Sequence, residues 1–413
     1  MAGEKIRPRN VAILAKIETT SGTEEVPATS DAITFEADGY SYNAPYRSEQ
    51  SNEANGSLAA GAPLVIGQPI ELSIRFRIKG AGAGSTYSAS VKPPHHAIYS
   101  ACGWRGLFTA AVSAAALTAG TTTAATLGTG FGSTDQTYRG MPLQLSGDET
   151  RMVHVSDYDG SGKVASLADI FGSALDTDVS AALPANWTYA PTSPADATAR
   201  ASDHPSATFY LYEDGVLHKF IGMRGTLAMQ GQTARPGFAT ATLRGIYGGK
   251  SDVAVPAVTV GQHAAPTFNM GGGGITPALV VNHEELAVSQ WALTTNAELE
   301  NPDDPNTEYG FGTGEIAGRR HVMALDPIAT LVANRDVITQ IENGDQYPAI
   351  LRFGSQGASN AGNRVSLMLP LAAPQDLAPG TRGIFRTEEL QLAALNSGKG
   401  PDTRDSDTIL CFY

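Results

Sequence analysis

Residues 157 to 163, Asp157-Tyr158-Asp159-Gly160-Ser161-Gly162-Lys163, begin like a calcium loop. Oxygen-bearing side chains stand at positions one, three and five, and glycine at six. A calcium loop closes on a bidentate Glu at position twelve, where this chain has Ala168, and the flanks read as strands rather than helices. The segment therefore predicts a glycine-rich hairpin turn. Gly162-Lys163 also lacks the upstream Gly and following Ser or Thr of a phosphate loop. Gly312-Thr313-Gly314-Glu315-Ile316-Ala317 fits the dinucleotide pattern with Ala as the third small residue. That fingerprint must leave a buried strand and open a helix, and here it follows the polar run Asn301 to Glu308. Gly271 to Gly274 reads as a flexible joint. The histidines are His95, His96, His154, His204, His218, His263, His283 and His321, and no pair has the four-residue spacing of a helical zinc site. No Gly-x-Ser-x-Gly nucleophile motif occurs. The expectation is a protein with no catalysis, no metal and no cofactor.

Composition points to the elements around these residues. The chain has 413 residues with 45 Gly, 24 Pro and only 17% charged residues, against about 25% charged in an average protein. This profile suits many short strands and turns and argues against a helical bundle or coiled coil. Net charge is −13, from 28 basic and 41 acidic residues, which argues against a basic nucleic-acid binder. From residue 258 onward 18 acidic and 9 basic residues give −9, leaving −4 for the first 257. The two cysteines, Cys102 and Cys411, read as buried free thiols. The apolar run Val11 to Ala15 is too short for a secretory signal, which needs about 7–15 residues, and no stretch approaches the roughly 18 of a membrane span. A soluble chain without membrane insertion is expected.

The clearest local signal is Ile70 to Lys79, where apolar and polar residues alternate without error. Ile70, Leu72, Ile74, Phe76 and Ile78 would share one buried strand face. Glu71, Arg75, Arg77 and Lys79 would share the other, as in an antiparallel sheet wet on one side. Further strands are predicted at Val11 to Glu18, Ala32 to Ala37, Thr226 to Gln230, Phe238 to Ile246, Ala349 to Phe353, Arg364 to Leu369, Ile384 to Leu392 and Thr408 to Tyr413. Asp214-Gly215 predicts a tight hairpin between Ala207 to Glu213 and Val216 to Ile221. A short helix should start at Pro93-Pro94 and stop at Gly103, and a second should span Pro327 to Asn343. Thr109 to Ser133 and Ala181 to Pro205 read as flexible connectors bracketing strand pairs. The predicted organisation is a β domain over 1–108 and 205–413, interrupted by an inserted β module at 109–204.

Several segments together resemble tail tube proteins of long-tailed, non-contractile bacteriophages. They are Val11 to Pro27 with its Lys16-Ile17-Glu18-Thr19-Thr20-Ser21-Gly22-Thr23 turn, the strand Ile70 to Lys79 with Gly80 to Gly84, and the helix closing at Ala101-Cys102-Gly103. Tyr212 to His218, Met223-Arg224-Gly225, Gly362 to Pro370 and the closing strand to Tyr413 follow in the same order. The resemblance implies a mainly-β, two-sheet sandwich or barrel subunit. It further implies hexameric rings stacked into a virion tube, made in the host cytoplasm. That tube would enclose a tape-measure protein, meet tail terminator and tail-tip proteins, and pass genomic DNA without specific binding. On this reading acidic groups should outnumber basic ones on the bore wall, because a basic bore would hold DNA. Arg75, Arg77 and Lys79 must then face outward, lie at a subunit junction, or be neutralised by acidic neighbours. The long loop Gly39 to Ala62 carries Tyr40, Tyr42, Tyr46 and Arg47, residue types favoured at contact hot spots, and is expected to bridge subunits or rings. The insertion is expected on the outer surface. The alternative is a tail-tip or surface adhesin whose inserted module binds a glycan, although Trp104, Trp187 and Trp291 supply few aromatic platforms.

Overall fold

The computed structural model describes residues 5–7, 9–54, 56, 59, 61–269 and 276–413; the glycine joint at 271–274 lies outside them. The chain is a mainly-β sandwich with short helices. In strand Ile70–Arg77, Ile70, Leu72, Ile74 and Phe76 are fully buried while Arg75 and Arg77 are exposed, as the alternation requires. Each buried aliphatic or aromatic side chain contributes about 1.5–3 kcal/mol, so this strand anchors the core. It pairs antiparallel with Phe238–Asp252 on one edge and with Tyr40–Tyr42 on the other.

The Asp214-Gly215 hairpin forms as expected, with φ of 43° and 106°. It joins Ala207–Glu213 to Val216–Gln232, a 17-residue strand that absorbs both strands predicted in that stretch. A register shift between Ile221 and Arg224, with Gly222 at φ +65°, bends this strand. Its first part therefore pairs with Ala207–Glu213 and its last with Gln290–Thr294. Val365–Arg382 behaves alike. Its start lies between Tyr347–Phe353 and Ile409–Phe412, and its end forms a hairpin with Phe385–Ala394. These two bent strands wrap a 17-stranded network around one core containing Tyr99, Trp104, Phe209, Phe220, Trp291 and Phe412.

The first helix, His96–Ala101, is stopped by Gly103 at φ +76°. His95 precedes it, stacked on Phe76 at 4.0 Å with Nε2 2.7 Å from the Thr34 carbonyl. The second is shorter than expected, spanning Val337–Asn343 before Gly344 at φ +67°. Residues ahead of it bond instead to the neighbouring hairpin, with Ile328 bridging Thr387 and the Ala329 amide donating to Arg386. The strand expected at Ala32 to Ala37 is only Ala32–Ile33.

A separate seven-stranded sheet runs between Val112 and Leu183 with its own core of Leu143, Val153, Tyr158, Leu167 and other apolar residues. The two expected connectors both carry strands. Val112–Ala116, Ala119–Gly120 and Ala124–Thr126 belong to this sheet, as does Val179–Leu183. Small Ala and Thr side chains pack on a pleated surface once cross-strand partners exist. Asn186–Pro191 belongs to the large sheet, between Trp104–Thr109 and Ile409–Phe412, so the chain leaves and re-enters the main body through neighbouring strands. The Asp157 to Lys163 segment is the expected hairpin turn, where Asp159 Oδ1 accepts from the Ser161 amide at 2.9 Å and hydroxyl at 2.8 Å.

The module docks through a buried ion pair. Arg352 Nη2 is 2.5 Å from Asp169 Oδ2, and both side chains are almost wholly excluded from solvent. Arg352 also donates from Nη1 to the Pro277 carbonyl at 2.8 Å and from Nε to His154 Nδ1 at 3.1 Å. The Met152 amide and carbonyl both bond the Thr276 hydroxyl, at 3.2 and 3.1 Å.

Candidate assembly surface

The described part of the expected contact loop begins with strands Tyr40–Tyr42 and Tyr46–Glu49, and residues 55, 57, 58 and 60 lie outside the described residues. Tyr40–Tyr42 completes the edge of the core strand, and both phenols donate to Glu213, Tyr40 at 2.9 Å and Tyr42 at 3.0 Å. Burial, reinforced by Glu213, pushes the Tyr40 phenol up to about 12. These two tyrosines are therefore engaged within the subunit. Tyr46–Glu49 pairs with Leu64–Gly67 as a separate two-stranded ribbon. Its hold on the body includes Tyr46, whose ring lies 5.5 Å from that of Tyr309. Leu64 and Val65 are each 64% exposed, and Arg47 is exposed beside them. An isolated two-stranded ribbon is marginal in water, so this one gains from a further surface to lie on.

Of the three basic residues Arg75, Arg77 and Lys79, only Arg77 meets an acidic partner among the described residues. Arg77 Nε pairs with Glu36 at 2.7 Å, and the Arg75 guanidinium sits 4.5 Å above the Phe238 ring. Lys79 turns inward, its amine donating to the Gly261 carbonyl at 2.5 Å, and burial lowers its pKa. Cross-strand register extends this wet face through Thr240, Ala228 and Thr294, and through Phe238, Gln230, Ala292, Ala324 and Gln391. Beside Arg75, Arg77 and the Glu71–Arg244 pair, these residues are small or uncharged. A cavity of about 600 Å³ lies along this face, with Arg75, Arg235, Asp326 and Glu389 among its lining residues.

Ile384, the most exposed large apolar residue among those described, reads in the sequence only as the start of a strand. The hairpin of Val365–Arg382 and Phe385–Ala394 ends in Gly383, Ile384 and Phe385, with Ile384 93% and Phe385 54% exposed. Leu331 and Val332, also well exposed, are held nearby because Arg335 Nη2 pairs with Glu388 at 2.7 Å and with the Ile328 carbonyl at 2.8 Å. The available signal was Gly383 followed by two large apolar residues, which read as the start of the strand expected at Ile384 to Leu392. Only the position of the turn reveals that they are a tip.

Clusters with chemical potential serve packing. Arg319 bonds Asp405 and lies 3.4 Å from Asp407, while His321 Nδ1 is 3.1 Å from Asp407 and 2.8 Å from the Thr408 hydroxyl. Burial alone would raise the Asp407 pKa, but the His321 and Arg319 contacts hold it at about 2. The network ties the C-terminal strand to the segment at 319–321. Gly312 to Ala317 runs into strand Glu315–Gly318 rather than a helix, which removes the dinucleotide reading. Asp148, Asp176 and Asp178 approach one another closely, but all are exposed. Trp104, Trp187 and Trp291 are buried in the main body, so none offers a sugar platform on the module. Neither known family models nor curated proteins give a match to this chain.

Proposed function

We propose that this chain is a self-assembling structural subunit of a phage tail tube, forming stacked hexameric rings. The observation that carries the reading is the pair of projecting β elements, the Tyr46–Glu49/Leu64–Gly67 ribbon and the Ile384-Phe385 tip, which hold large apolar side chains in water. Burying these side chains against other subunits removes that exposure, and a closed ring leaves no sheet edge free to aggregate. The conduit role requires that Arg75 and Arg77, which share the wet face with Thr240, Ala228, Gln230, Ala292 and Ala324, be covered at a subunit junction, since a basic wall would grip phosphate. On this reading the tube encloses a tape-measure protein, meets terminator and tip proteins, and lies in the virion. The inserted module projects outward, because its separate sheet would obstruct a bore. Sedimentation of the purified chain over a concentration series tests the proposal. Growth in steps of six subunits is expected, and a monomer at every concentration would overturn it.

A further inference from the structure

The self-assembly reading leaves open which surfaces meet, and the charge and shape of two features indicate one contact. The first is the tip carrying Ile384 and Phe385, next to Arg386, which is exposed and forms no ion pair among the described residues. The second is a notch of about 260 Å³ against the paired strands Val11–Ile17 and Ala32–Ile33, lined by Ile13, Ile33, Phe35, Ala37, Val258 and Val260 among others. The notch is apolar apart from Thr34 and Arg9, and Asp38, exposed, follows its lining residue Ala37. Its wall strand, Ala32–Ile33, pairs with Val11–Ile17 on one edge and with no other strand among the described residues.

Within one chain the tip strand Phe385–Ala394 and the wall strand Ala32–Ile33 are six strand pairings apart, through Val322–Leu325, Gln290–Thr294, Val216–Gln232, Ala207–Glu213 and Val11–Ile17. With Ile384 93% and Phe385 54% exposed, the tip does not fill its own notch. We propose that the Ile384-Phe385 tip of one copy seats in the notch of a second copy, with Arg386 against Asp38. Arg9 fixes the orientation, because Arg386 must approach the side of the mouth away from it. Tip and notch are different surfaces, so the contact is head-to-tail. It repeats from copy to copy and closes into a ring or continues as a filament, as the tube reading requires.

The test uses the full chain. Phe385→Cys and Val258→Cys are placed on separate chains, mixed under assembly conditions and treated with a short bis-maleimide. Cys102 and Cys411 are buried, and burial raises their thiol pKa, so both stay silent. A cross-linked pair confined to the mixture is expected. Ile384→Asp should raise the concentration needed for assembly about tenfold or more without affecting the fold, since the side chain is exposed. Asp38→Arg and Arg386→Asp should each weaken assembly, and the chain carrying both should recover it. Assembly without the cross-link, or without recovery in the charge swap, overturns the contact and leaves self-assembly standing. A chain that neither assembles nor cross-links overturns both.

Discussion

Replacing Asp169 by Ala removes the only carboxylate among the described residues that is bonded to the Arg352 guanidinium, which has almost no access to water. Arg352 would retain the Pro277 carbonyl at 2.8 Å and His154 Nδ1 at 3.1 Å but lose its counter-charge at 2.5 Å. Breaking a buried pair from one side costs about 3–5 kcal/mol, and the two surviving bonds favour the lower end, near 3 kcal/mol. His154 cannot compensate, because burial, with Arg352 and Arg364 nearby, holds it neutral with a pKa well below its ordinary value. Replacing both partners, as Asp169→Leu with Arg352→Met, removes the stranded charge and should return stability to within about 1–2 kcal/mol of the parent. Urea unfolding measures the total loss. Hydrogen exchange across 112–183 and across the main body locates it, and exchange should rise first on both sides of the joint. A single variant within about 0.5 kcal/mol of the parent, a range typical of surface changes, would refute the reasoning. So would a double variant as unstable as the single.

Three further outcomes are expected. Deleting 44–60 should leave a folded subunit, because ribbon strand Tyr46–Glu49 lies outside the main sheet, and should abolish tube growth seen by electron microscopy. Gly103→Ala should destabilise by about 1–2 kcal/mol in thermal unfolding, because φ is +76° and the new β-carbon would lie 2.9 Å from Ile316 Cδ1. Asp407 has a folded pKa of about 2, below its unfolded value of roughly 3.9, so its contribution is complete above that value and is lost as pH falls towards 2. That contribution is about 2 kcal/mol, and Asp407→Asn should flatten the stability curve across this acid range.

Elements governed by local rules were legible. Ile70 to Lys79 announced its buried face because one face is dry and the other wet. Asp214-Gly215 and Gly103 marked positions where φ is positive. Asn186–Pro191 escaped notice because all six residues are buried on both faces, which erases alternation, and its Ala and Pro resemble a linker. Val216–Gln232 read as two strands because Gly222 interrupts the pattern where the structure places a bend. The expected helix from Pro327 lost its first part to backbone bonds with a hairpin some 60 residues later, a tertiary effect that propensity does not register. In the candidate surface, Tyr46 and Arg47 stand on the exposed ribbon, whereas Tyr40 and Tyr42 are held by Glu213 and Lys79 is buried. The distinction depends on Glu213, 171 residues from Tyr42, and no local pattern contains it.

Electron microscopy of the purified chain, imaged fresh and after concentration, tests the central claim most directly. Rings or hollow tubes with sixfold symmetry are the expected result, with extra density on the outside for the inserted module. Particles that remain single subunits at every concentration, or aggregates without rotational symmetry, would contradict it.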